Sequence, residues 1–213
     1  MTTKKIIVFG AGGNAGREIV GEALRRGHTV TAVVRDRAAH PDLPANATAA
    51  TGDATDAASV AVLAAGHDVV VGAVYRADAD AGEFFAAAGQ ALANGALTAG
   101  GPRLLWVGVA STLPDGSGVR MCDAPEFPAQ WRDFALAHDR ASAVFRASPD
   151  ALDWVIVTPP MRLEQGERSG AYRSGSAILP GTDRITYADL AVAVVDEAES
   201  AAHHREQIAV AHP

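Results

Sequence analysis

Lysine is almost missing from this chain: Lys4 and Lys5 are the only two in 213 residues, and the formal net charge is −7. Without a basic stripe, non-specific nucleic-acid binding is excluded as a function. Cysteine occurs once, at Cys122, so no intrachain disulfide can form, and a reducing, cytoplasmic setting is expected. Long apolar runs are lacking too. Ile6-Ile7-Val8-Phe9 stops at Gly10, too short for an export or membrane-spanning segment, so no membrane partner is expected. No His, Cys or carboxylate cluster has metal-ligand spacing. His203 and His204 are neighbours near a helix end and cannot face one ion, so no metal is expected.

What is present is apolar and periodic. Hydrophobic residues make up 48% of the chain and charged residues 20%, the balance of a globular protein. Apolar runs at 6–9, 29–34, 69–74, 104–109 and 154–157 do not alternate with polar residues, which fits strands covered on both faces of a parallel sheet. A weaker strand is read at 47–51. Between these runs, the spacing predicts helices over 14–26, 56–65, 82–99, 129–147 and 187–202. Steady alternation of strand and helix predicts a Rossmann-type, doubly wound α/β fold of three layers, one domain over 1–213. Two breaker-rich stretches, about 112–128 and 159–183, each follow a predicted strand. Both should emerge at the carboxyl edge of the sheet, where substrate loops lie.

The strongest local signal is Gly10-Ala11-Gly12-Gly13-Asn14-Ala15-Gly16, placed directly between the first strand and the first helix. That context is what a dinucleotide fingerprint requires. Gly10 permits a tight turn, Gly13 lets a pyrophosphate approach the backbone, and Gly16 lets the helix pack on the sheet. Amides at the helix start, from Asn14 onward, would then meet the phosphates. Two registers fit: Gly10, Gly13, Gly16, or Gly10, Gly12, Ala15. After the second strand comes Arg35-Asp36-Arg37. Arg35 sits where a cation would meet a 2′-phosphate, which favours NADP(H) over NAD(H), while Asp36 keeps NAD(H) open.

Taken in order, IIVFGAGGNAG, VVRDR, TGDATD, VGVAS at 107–111, VTPP at 157–160, SGAY at 169–172 and ITYADLA at 185–191 span nearly the whole chain. The series resembles the atypical short-chain dehydrogenase/reductase superfamily, in particular NAD(P)H-binding NmrA-like proteins and the flavin/biliverdin reductase B group. The resemblance implies Asp53 near the adenine and Gly72, Ala73 and Val74 along the cofactor. It also implies Ser111 beside the nicotinamide, and Pro159 and Pro160 lining its pocket. One departure stands out. The Tyr-x-x-x-Lys dyad of typical members is absent, because no lysine exists beyond Lys5.

A lone ketone needs a tuned acid to protonate the alkoxide as hydride arrives, whereas flavins, quinones and similar conjugated acceptors spread the charge. The missing dyad therefore points to an NADPH-dependent reductase of a small conjugated acceptor. Ser111 could hydrogen-bond that acceptor. His138 could donate a proton, although a surface histidine paired with Asp139 is the plainer reading. Tyr172, in the second edge loop, could touch substrate or simply pack. The alternatives are a non-catalytic NADP(H)-binding redox sensor and a biosynthetic isomerase or cyclase. The protein is expected to be a monomer or homodimer, its alanine-rich helices at 82–99 and 129–147 pairing across a two-fold axis.

Overall fold

The computed structural model describes residues 2–213. The chain opens with β1 (Lys5–Phe9), α1 (Asn14–Arg25), β2 (Thr29–Val34), β3 (Thr48–Thr51), α2 (Ala57–Ala64) and β4 (Val69–Gly72). It continues through α3 (Ala81–Thr98), β5 (Arg103–Val107), α4 (Ala129–Ala147) and β6 (Trp154–Thr158). Short strands β7 (Arg162–Glu164), β8 (Arg173–Gly175) and β9 (Arg184–Thr186) precede α5 (Tyr187–Ser200) and the last strand, β10 (Glu206–Ala211).

Eight strands form one sheet in the order β3-β2-β1-β4-β5-β6-β10-β8. All neighbours are parallel except β8, which runs antiparallel on the edge. Strands β7 and β9 make a separate parallel pair. The α/β, doubly wound class expected from the run pattern is what the chain adopts.

Alternate residues of each core strand feed two apolar layers, which is why the runs could not alternate with polar residues. Ile6 and Val8 pack with α1 and α5. Ile7 and Phe9 pack on the other face with α2, α3 and α4. Small residues in α3 and α4 serve their contact with each other: a Cβ on Gly89 would lie 3.0 Å from Ala141.

The order in which strands are added to the sheet reverses between β1 and β4. From β1 the chain moves outward to β2 and β3, then returns to place β4 on the other side of β1. Ligands of doubly wound sheets bind at the carboxyl ends of the strands flanking such a reversal. The glycine segment follows β1 at that point.

Four strands were not legible in the sequence pattern. Strand β10 is a six-residue run containing two alanines, which the apolar periodicity left unassigned. Strands β7, β8 and β9 are three residues each and carry Arg162, Arg173 and Arg184, so no period of two could show. The stretch 159–183 is therefore partly ordered as strand rather than loop throughout.

Candidate functional site

The turn after β1 is built around two missing side chains. Gly10 has φ +83°, and a Cβ there would come within 2.7 Å of the Ala73 carbonyl carbon just past β4. The Ala73 amide donates to the Phe9 carbonyl at 3.0 Å, closing the base of the cleft. A Cβ on Gly16 would come within 2.7 Å of the Gly10 carbonyl carbon and 2.9 Å of Ala11 Cα. The third glycine thus lets α1 approach its own loop rather than the sheet. Gly13 is different: a Cβ would meet only the Gly10 carbonyl oxygen, at 3.4 Å, and would otherwise stand in the open cleft. Gly13 is also the N-cap of α1, which has no side-chain cap and no acid in its first turn. The helix start is therefore left with amides and a partial positive charge facing outward.

A crevice of about 930 Å³ runs over this turn. At one end it is lined by Arg35, Asp36, His40 and Asp53. Burial pushes the Asp53 carboxyl up, but hydrogen bonds from the Thr55 hydroxyl (2.7 Å) and amide (2.8 Å), with the charges of Arg76 and Arg35, hold it below the usual range. Both of those bonds end on Oδ1, leaving Oδ2 for a ligand. Arg76 was not singled out in the sequence. The available signal was its place shortly after β4, matching that of Arg35 after β2.

The other end is aromatic. Tyr75, Phe84, Phe85, Phe134 and His138 line it, with Gly108 and Val109 at its floor. His138 lies 3.7 Å (ring centroids) from Phe85 and 4.8 Å from Phe134. It is buried, not on the surface as its sequence neighbours suggested, and Asp139 pairs instead with Arg120 (2.6 Å) and Arg146 (2.8 Å). Burial pushes the His138 imidazole down to about 3, so it is neutral at physiological pH, with a buried Nδ1 that has no partner. Tyr187 and Leu163 complete the wall.

A family model described as NAD(P)H-binding matches residues 10–201. YwnB of Bacillus subtilis strain 168 is 31% identical over 223 residues, covering 97% of each chain. A structure of a candidate exported protein from Burkholderia pseudomallei superimposes with a TM-score of 0.87 at 36% identity, covering 99% of this chain and 100% of that one. A candidate NADH-flavin reductase from Streptococcus pneumoniae gives 0.82 at 28% identity, covering 99% and 100%. This chain belongs to the NAD(P)H-binding family. Family and neighbours agree with the atypical short-chain dehydrogenase/reductase resemblance.

An NAD(P)H-binding protein needs a bare turn for the pyrophosphate, and Gly10, Gly12 and Gly13, with Asn14 and Ala15, line the crevice where that turn lies. Ala73 and Val74 line it too. Gly72 does not: it lies beneath, where a Cβ would meet the Trp106 ring at 2.7 Å and Leu92 at 2.9 Å, so its missing side chain serves the core. Ser111 sits buried in a 3-10 turn (Ala110–Thr112), two residues beyond the crevice lining at Val109. Pro159 is buried, and Pro160 borders a separate small apolar pocket with Met121, Met161 and Ile178.

Tyr172 is not brought to the crevice. It lines a different depression with Lys4, Asp196 and Glu199, where burial and Asp196 push its phenol well above the usual range. The tyrosines at the crevice are Tyr75 and Tyr187, whose positions depend on long-range folding. Among the described residues, no group of three His, Cys, Asp or Glu is placed to hold a metal, and no helix is long and apolar enough to cross a membrane.

Proposed function

We propose that this NAD(P)H-binding oxidoreductase uses NADP(H) to reduce a small, flat, conjugated acceptor such as a flavin or quinone. When bound, the nicotinamide supplies the hydride; the protein supplies position, dryness and polarity. The bare turn at Gly10–Gly13 and the amides of Asn14 and Ala15 hold the pyrophosphate. Asp53 takes the adenine end, and Arg35 favours the 2′-phosphate. Ala73, Val74 and Val109 line the path towards the aromatic end.

One observation carries the reading. The crevice ends in Tyr75, Phe84, Phe85 and Phe134, and the histidine among them is held neutral. Aromatic walls accept a flat ring by stacking and exclude water, while a neutral imidazole can donate a hydrogen bond but is a poor proton source. Such a pocket suits an acceptor that spreads incoming charge. The substrate-loop role of 112–128 and 159–183 is supported by the small apolar pocket that Leu113 and Met121 share with Met161 and Ile178. The chain's single thiol, Cys122, cannot pair within the chain, which supports a cytoplasmic setting.

The test is NADPH oxidation at 340 nm with a panel of flavins and quinones. Turnover well above the uncatalysed rate is expected for at least one acceptor. Tight cofactor binding with no turnover across the panel would overturn the reductase reading in favour of a redox sensor.

A further inference from the structure

The last strand carries an amide into an apolar layer. Gln207 of β10 pairs with Ile156 of β6, which pairs with Trp106 of β5, so the three side chains share the face that α4 covers. From there Gln207 reaches one rung up. Its Nε2 donates to Thr158 Oγ1 at 3.0 Å and to Thr112 Oγ1 at 2.8 Å. Thr158 is fully buried and Thr112 nearly so. Thr112 has already given its own hydroxyl proton to the Val109 carbonyl, at 2.9 Å, so it can only accept from Gln207. Among the described residues, Thr158 Oγ1 has no second hydrogen-bond partner. One side chain thus ties the turn after β5, the end of β6 and the last strand together.

We propose that Gln207 is a positioning residue: by holding the Ala110–Thr112 turn against Thr158, it sets the height of the Gly108–Val109 floor and so the alignment of nicotinamide and acceptor. The inference rests on the reductase reading above and adds what fixes the geometry of that site. Gly108 and Val109 line the aromatic end of the crevice. Gly108 is wedged against the same threonine. Its amide donates to the Val157 carbonyl at 3.0 Å, and a Cβ on it would lie 2.7 Å from Thr158 Oγ1. Val109 is held from the other side, its carbonyl accepting both the amide (3.2 Å) and the hydroxyl of Thr112. The same turn packs against α4, which brings Phe134 and His138 to the crevice. The surroundings of Thr158 are apolar (Ala110, Leu113 and Ala209), which strengthens the hold of the amide. A leucine at 207 would fill the space but leave Thr158 without a partner. Hydride transfer is sensitive to a displacement of about 1 Å at its floor.

Steady-state kinetics of the full chain with menadione and with riboflavin, using NADPH and NADPH dideuterated at C4, test this. Calorimetry gives the NADPH affinity, and circular dichroism checks each variant's fold. Gln207→Leu and Thr158→Val should each lower kcat about tenfold and raise its deuterium isotope effect, while NADPH affinity stays within about twofold. Thr158→Ser keeps the hydroxyl and should hold kcat within about twofold of wild type. Gln207→Glu, as a carboxylate, cannot donate to Thr112 and should behave as Gln207→Leu, which keeps the test open if the leucine variant does not fold. An unchanged kcat and isotope effect in these variants would overturn the proposal. So would a loss of melting temperature and NADPH affinity with the isotope effect unmoved, the mark of a merely structural bond. In the binary complex, the emission of bound NADPH should differ between wild type and Gln207→Leu. If the wild type binds NADPH but passes hydride to neither acceptor, the reductase reading fails on these acceptors, and the emission decides the positioning role: an unchanged spectrum overturns it. Failure of the wild-type protein to bind NADPH sinks both.

Discussion

His138 shows how far a residue's identity falls short of its role. In the sequence it stands beside Asp139 on a polar-looking turn of helix. In the fold it faces Phe85 and Phe134, while Asp139 is taken by two arginines. A neutral imidazole predicts two outcomes. First, His138→Phe should lower kcat/KM for carbonyl-bearing acceptors by about tenfold, the scale of one lost hydrogen bond. Because His138 titrates near 3, the wild-type pH–rate profile should carry no inflection from it between pH 5 and 8; an inflection near 6.5 that disappears in the variant would contradict this. Second, the unfolded chain protonates this histidine near 6.5 and the native state only near 3, so the unfolded state binds more protons in between. Stability from this group is then full above pH 6.5 and falls with pH down to about 3, by up to about 1.4 kcal/mol per pH unit. Denaturant melts of His138→Phe should show a flatter acid decline than wild type. His67, also lowered by burial, keeps part of the slope in both.

At the level of elements, what could be read depended on whether a segment's environment is uniform along its length. The core strands could be found because both faces are buried and their sequences are dominated by β-branched and large apolar residues. Three-residue strands such as Arg173–Gly175 pair only because another part of the fold, here β10, presents an edge to them, and nothing local announces that. The glycine turn was legible for the same reason as the strands, since backbone conformation dictates residue type there. His40, Tyr75 and Tyr187 were not, because only long-range folding brings them to the crevice, and the same holds for Arg76, whose charge acts on Asp53. Two glycines of one motif should therefore fail differently. Gly16→Ala drives a Cβ against the Gly10 carbonyl and should cost about 1–3 kcal/mol of stability, seen as a lower denaturation midpoint. Gly13→Ala adds a Cβ that meets only the Gly10 carbonyl oxygen, at 3.4 Å, and puts a poorer cap at the start of α1, so the midpoint should fall by no more than about 1 kcal/mol while cofactor affinity drops. If Gly13→Ala binds dinucleotide as well as wild type, the pyrophosphate does not lie where the turn suggests.

For the molecule as a whole, the reversal of strand order between β1 and β4 opens a crevice that no side chain of the sheet fills, and the layers on either side are packed without it. A ligand that binds only the folded chain adds its free energy to the whole by mass action. At 100 times its dissociation constant, NADPH should stabilise the protein by about 2.7 kcal/mol. For a domain of this size that corresponds to a rise in Tm of roughly 5–10 °C. The same concentration of NADPH should shift Gly13→Ala by much less, although the two apo proteins differ little in their melts. Thermal melts of both, with and without cofactor, separate a folding defect from a binding defect in one experiment. A wild-type Tm indifferent to NADPH and NADH alike would mean that the crevice, for all its family likeness, holds some other molecule.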